Sequence, residues 1–166
     1  ASGTEALGIV DALGEGVDSL AVGQRVATGG TFGAWAEYVV ANAAGLIPVP
    51  ESLSDESAAQ LVSMPFSTIS LLEFLGAEKG DWIVQNAANG AVGRMLAQLG
   101  AARGVNVIGL VRRSAGVDEL REQDIENVVS TDDDGWREQV AEITGGAHIA
   151  FGLSLIHISE PTRQAE

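Results

Sequence analysis

Cysteine is absent from this 166-residue chain. That removes disulfides and thiolate zinc sites from consideration, and it suits a reducing compartment, so a cytoplasmic location is expected. Basic residues are scarce: nine Lys and Arg stand against 23 Asp and Glu, for a net charge of −14. Such a surface repels phosphate backbones and anionic membranes, so neither a nucleic-acid nor a membrane partner is expected. No apolar run approaches the ~20 residues of a membrane span. No basic leader followed by an apolar core is visible, so no signal peptide is expected. Histidine occurs twice and tyrosine once. What remains is glycine-rich, with 21 glycines and 46% hydrophobic residues, a composition that fits an α/β protein. The length allows one full domain or pieces of two.

The stretch from Asp81 to Arg113 organises the rest. Trp82-Ile83-Val84 is a short apolar run typical of a buried strand. A small-residue turn follows, and then Val92, Met95, Leu96 and Leu99 fall at i, i+3, i+4 and i+7 of a helix. Gly100 and Gly104 bracket its exit. A second apolar run, Val105 to Val111, ends in Arg112 and Arg113. This strand–turn–helix–strand unit has the length that binds a dinucleotide.

Within the turn, Ala88-x-Gly90-x-x-Gly93 is the dinucleotide fingerprint with its first glycine replaced by alanine. Gly90 gives the pyrophosphate room to approach the backbone, Gly93 allows close helix–strand packing, and the free N–H groups of the first helical turn face the phosphates. The expected contacts are Asn86, Ala88, Asn89, Gly90, Ala91, Val92 and Gly93. An NAD site usually carries an acidic residue at the tip of the second strand. Arg112 and Arg113 stand there instead, and a guanidinium can grip a ribose 2′-phosphate with two parallel hydrogen bonds. NADPH is therefore the expected cofactor. The plain alternatives are a phosphate-free tight turn and two solvated arginines.

Taken in order, residues 1–50 read as a β-rich domain, with strand pieces at Ile9-Val10 and Arg25 to Ala27 and a strand at Trp35 to Val40. Residues 51–80 read as connecting helices. Ser54 is an N-cap, Met64-Pro65 interrupts the first helix, and a second runs from about Thr68 to Leu75. Residues 81–152 read as a partial nucleotide-binding sheet. A helix is expected at Val117 to Gln123, a strand at Asn127 to Ser130, a helix after Asp132-Asp133-Asp134, and a fourth strand from His148. The three aspartates are expected to cap and be solvated rather than to bind metal, and His148 is expected to be structural. Residues 153–166 resemble the translation of a sequencing adapter and are set aside as a non-native tail, His157 included.

With these residues in place, the chain resembles a zinc-independent medium-chain dehydrogenase/reductase of the 2-enoyl thioester reductase branch. Gln85 to Gly93, QNAANGAVG, is similar to that branch's QNA-x-N-x-x-VG loop. Gly3 to Gly8, Gly23 to Val26 and Gly33 to Tyr38 also match. The resemblance implies a partial GroES-like β domain followed by the first part of a Rossmann doubly wound parallel sheet. It places Thr68 near the nicotinamide as a further cofactor-binding residue. Where zinc-using relatives carry a histidine and a cysteine, this chain has Thr4 and Met64, poor ligands for Zn²⁺, so no metal is expected.

The implied activity is NADPH-dependent reduction of the C=C bond of 2-enoyl thioesters, acyl-CoA or acyl-carrier-protein bound, in fatty-acid synthesis. The enolate oxygen that develops needs hydrogen-bond donors and the α-carbon needs a proton. In the family a tyrosine upstream of the visible chain serves as donor, so no catalytic residue is named here. Tyr38 does not match that position and is expected to pack in the β domain. Trp35 is a candidate for the substrate cleft, with core packing as the alternative. Two other readings stay open: an NADPH:quinone or enone oxidoreductase of the same family, and a non-catalytic nucleotide-binding protein. The parent is expected to be a homodimer. The chain alone is expected to have little or no activity, and its fourth strand to leave an open sheet edge.

Overall fold

The computed structural model describes residues 2–151; the adapter-like stretch 153–166, with His157, lies outside the described residues. Contacts divide the chain into two units, Ala1–Phe66 and Ser67–Glu166.

The first unit is built on a three-stranded antiparallel sheet of β1 (Ala6–Ile9), β2 (Arg25–Thr28) and β3 (Ile47–Pro48), with β2 in the middle. The short α1 (Asp55–Ala58) follows, and the Ser54 side chain accepts a hydrogen bond from the Ser57 N–H, as its N-cap position demands. Ala27, Val49 and Ala58 form the small core, with Leu7, Leu53, Leu61 and Val62 packed around it. Arg25 ties sheet to helix: Nη1 donates to the Pro50 carbonyl at 2.8 Å, Nη2 to the Leu53 carbonyl at 3.0 Å, and the group pairs with Asp55.

Two expectations fail in this unit. Trp35 to Val40 forms no strand, and Tyr38 is exposed rather than packed. A strand needs a ladder partner, and among the described residues none pairs with this stretch. Pro48 joins the sheet opposite Val26 on its outer strand, where a missing N–H does no harm.

The helix α2 (Ser63–Leu75) begins before Met64-Pro65 instead of after it. Proline is tolerated in a first helical turn because its missing N–H has no intrahelical partner there anyway. The Ser63 N–H donates to the Glu5 carboxylate at 2.8 Å, which supplies the cap.

The second unit alternates strand and helix: β4 (Trp82–Gln85), α3 (Ala91–Arg103), β5 (Asn106–Val111), α4 (Ala115–Arg121), β6 (Val128–Ser130), α5 (Trp136–Thr144) and β7 (Ile149–Phe151). The four strands are parallel in the order β6-β5-β4-β7. Successive residues of a strand face opposite sides. Ile83 and Val107 accordingly pack with Leu96 of α3 and Leu72 of α2, while Val84 and Ile108 pack with Val140 of α5. The sheet is thus covered on both faces, and its order reverses at β4, the topology of the start of a Rossmann sheet. β7 lies at one edge among the described strands. α3 ends at Gly104, whose φ of +76° makes the left-handed C-cap that glycine favours. Gly100 is not an exit residue. It sits inside α3, where a Cβ would lie 2.7 Å from Val107 Cγ2, so it brings helix and strand into close contact.

Candidate functional site

Because β4 and β5 are parallel, their carboxyl ends lie side by side: Gln85 is in register with Gly109. The turn from Asn86 to Gly90 leaves the end of β4, and Arg112 and Arg113 leave the end of β5. The structure therefore brings the turn and the arginine pair to one end of the sheet.

The turn is tightly built. Ala87 takes a left-handed backbone with φ of +52°, and the Gly90 N–H closes back onto the Ala87 carbonyl at 3.0 Å. Ala88 is buried and its N–H donates to the Leu110 carbonyl at 3.3 Å, which stitches the turn to β5. Asn89, Gly90 and Ala91 are exposed, and Asn86 and Val92 are half-buried. Gly90 is the N-cap of α3, with no side-chain cap. The N–H groups of the first turn are the ones an α-helix leaves without internal partners, and the helix dipole adds positive character there.

The two glycines of the turn do different work. A Cβ on Gly93 would lie 2.7 Å from the Ala87 carbonyl oxygen and 2.8 Å from that of Ala88, so only glycine lets α3 come this close to the turn. A Cβ on Gly90 would meet only the Ala87 carbonyl oxygen, at 3.2 Å, and its other sides are open. This is a cradle that a phosphate could approach and that a side chain would fill. Arg112 and Arg113 are exposed, and neither makes an ion pair among the described residues. A dinucleotide phosphate would find here an N–H-rich turn and two uncommitted guanidinium groups.

Four contributors escaped the sequence reading. Gln85 is fully buried and its Nε2 donates to the Gly93 carbonyl at 2.8 Å, bracing α3 from below; its Oε1 has no partner among the described residues. Gly109 of β5 makes room for Ala88, since a Cβ there would lie 2.5 Å from the Ala88 Cβ. A lone glycine in a strand signals such an approach. Ala87 carries a left-handed backbone, which its alanine side chain gave no sign of. Arg94, in the first turn of α3, donates to the Asn89 carbonyl at 2.9 Å.

The remaining expected residues lie apart. Thr68 is buried on α2 in the second unit. Trp35 belongs to the first unit; it is 79% exposed, which overturns core packing, and its indole lies over Gly3. His148 is exposed just before β7. A cavity of about 690 Å³ runs along the edge strand β6 between Arg121, Ser130, Asp133 and Ile143, and no residue of the turn lines it. That is no argument against the turn, because a pyrophosphate lies on exposed backbone N–H groups rather than in an enclosed hollow.

Known proteins are similar to this chain. Residues 1–51 match the alcohol dehydrogenase GroES-like domain. The mitochondrial enoyl-[acyl-carrier-protein] reductase of Arabidopsis thaliana is 35% identical over 123 residues, 73% of this chain and 33% of that protein. A crystal structure of a putative NADPH:quinone reductase from Bacillus thuringiensis superposes with a TM-score of 0.80 at 31% identity, over 89% of this chain and 46% of that one. The Escherichia coli quinone oxidoreductase complexed with NADPH gives 0.75 at 28% identity, over 87% and 45%. The chain thus spans about a third of that curated relative and just under half of those solved structures.

Proposed function

The chain belongs to the medium-chain dehydrogenase/reductase family, and from that premise we propose that it forms the cofactor-binding part of an NADPH-dependent, zinc-independent reductase of 2-enoyl thioesters. The observation that carries the proposal is the pairing of an open Gly90 cradle with two uncommitted arginines at the end of the neighbouring strand. The backbone N–H groups from Ala91 to Gly93 hold the pyrophosphate, with Gly90 leaving room for it and Asn86, Ala88 and Asn89 shaping the turn around it. Arg112 and Arg113 hold the ribose 2′-phosphate, which a carboxylate at that strand tip would repel. Bound NADPH supplies the hydride.

Thr68 enters the proposal as the residue on the nicotinamide side, and Trp35 as a wall of the substrate cleft. The positions of the zinc ligands hold Thr4 and Met64, and neither a hydroxyl nor a thioether is a good ligand for Zn²⁺. Charge on the substrate carbonyl must then be met by hydrogen-bond donors. Support for the thioester substrate comes from the QNAAN loop and from the enoyl reductase relatives. The second reading, reduction of quinones or small enones with the same cofactor, is favoured by the solved structures bearing that name.

Titration of the chain with NADPH and NADH tests the cofactor: NADPH is expected to bind at least tenfold tighter, and equal or reversed affinities would refute the roles of Arg112 and Arg113. Steady-state assays of the full-length reductase with crotonyl-CoA and with a benzoquinone separate the two substrates. Turnover confined to the quinone would remove the thioester reading.

A further inference from the structure

Arg94 has every edge of its guanidinium engaged. Nε donates to the Asn89 carbonyl in the phosphate turn at 2.9 Å, Nη1 donates to Gln123 Oε1 at 2.8 Å, and Nη2 pairs with the Glu119 carboxylate on α4. One side chain on α3 thereby joins the turn after β4 to the helix after β5. A planar fork of fixed geometry suits such a junction, because each branch constrains the other two.

The position of α4 matters for the arginine pair. α4 starts at Ala115, two residues beyond Arg113, and the Gly116 N–H donates to the Arg113 carbonyl at 3.0 Å. The Ser114 N-cap makes no side-chain hydrogen bond. The Arg112–Arg113 corner is therefore the lead-in to α4 and goes where α4 goes. Below the fork, Ala97 of α3 and Leu120 of α4 share one apolar cluster with Ala88. Packing there sets how close the helices come, while the directional bonds above fix their register.

We infer that Arg94 is a positioning residue for cofactor specificity, holding the Arg112–Arg113 corner at a set span from the phosphate turn so that one dinucleotide meets both. The inference rests on the NADPH reading above. Arg94 does not serve as a free cation for the cofactor: its charge faces Glu119, whereas Arg112 and Arg113 have no such partner among the described residues. NADH lacks the 2′-phosphate that the arginine pair would hold, so loosening the span weakens it less than NADPH. NADPH uses both ends and loses affinity.

The test is calorimetric titration of the whole chain and its variants with NADPH and with NADH. For Arg94→Ala the expected result is an NADPH affinity lower by about fivefold, the scale of coupling within one network, with NADH within about twofold of wild type. Arg94→Lys keeps a charge opposite Glu119 but loses the fork, and its NADPH-to-NADH ratio is expected to fall between the two. Glu119→Gln reads the same ratio should Arg94→Ala fail to fold. Equal weakening of both cofactors would reduce Arg94 to general stability and overturn the inference, and so would an unchanged ratio in all three variants. If the wild-type chain binds NADH as tightly as NADPH, the cofactor reading itself falls and takes this one with it. If wild type prefers NADPH and the variants keep that preference, only the role of Arg94 falls.

Discussion

Replacing Gly93 by alanine sets helix propensity against packing, and the structure says packing wins. Alanine in a helix interior is favoured over glycine by about 1 kcal/mol. The added Cβ, however, would lie 2.7 Å from the Ala87 carbonyl oxygen, 2.8 Å from the Ala88 carbonyl oxygen and 2.9 Å from Ala88 Cα. All three are backbone atoms, so no rotamer change relieves the contact and α3 must move outward. Overpacking of this kind costs about 1–3 kcal/mol. The movement also stretches the buried Gln85 Nε2 bond to the Gly93 carbonyl, now 2.8 Å. Leaving that amide unsatisfied costs about another 1–3 kcal/mol. The net expectation is a loss of about 1–5 kcal/mol of stability for Gly93→Ala. Gly90→Ala is the control. Its φ of −78° and ψ of 165° suit any residue, and the new Cβ meets a single atom at 3.2 Å. Stability should fall by no more than about 1 kcal/mol, the cost of alanine at an N-cap. The methyl would nevertheless sit where the phosphate approaches, so NADPH affinity should fall at least about tenfold, about 1.4 kcal/mol. Urea denaturation followed by tryptophan fluorescence, paired with NADPH titration, reads both quantities. A Gly93→Ala chain as stable as wild type would refute the packing account, and undiminished NADPH binding by Gly90→Ala would refute the cradle.

Other perturbations separate the remaining parts. Replacing Arg112 and Arg113 together by alanine should lower NADPH affinity at least about tenfold and flatten its salt dependence, because two phosphate-directed charges are removed; titration at low and high salt checks this, and an unchanged salt slope would contradict it. Gly109→Ala should cost about 1–3 kcal/mol through a contact 2.5 Å from the Ala88 Cβ; adding Ala88→Gly to the same chain should recover most of that loss in urea melts. Arg25→Met should destabilise the first unit by about 2–3 kcal/mol, since the Pro50 and Leu53 carbonyls lose a charged donor; Arg25→Lys should recover less than half, because an ammonium cannot fork to both.

Sequence and structure agree where a signal is local and periodic. The elements from β4 through α5 follow from apolar runs, turn residues and helical spacing over short windows, and each strand finds its partner through a crossover the same window contains. Thr68 and Trp35 differ in kind: nothing near them in the chain says what they face. The failures at Trp35 to Val40 and Tyr38 have the same cause. Aromatic and β-branched residues state a preference for a ladder, but a ladder also needs a second strand, and no window of one segment contains it.

The phosphate turn shows the same division at finer grain. Gly90 and Gly93 were legible because a motif names them, yet the motif is silent on how α3 is held against the turn. That depends on Gln85 reaching under it, on Gly109 in the next strand and on Arg94 reaching over it to Glu119 and Gln123, which lie 25 and 29 residues away. Each of these acts across elements. Gly109 alone left a trace in the sequence, as a lone glycine inside a β-branched run. A fingerprint therefore names the glycines of the turn, while the way α3 is held against the turn depends on residues that no fingerprint contains. For that reason Arg94 and Glu119, rather than the glycines, are where a change in cofactor preference without loss of the fold is to be sought.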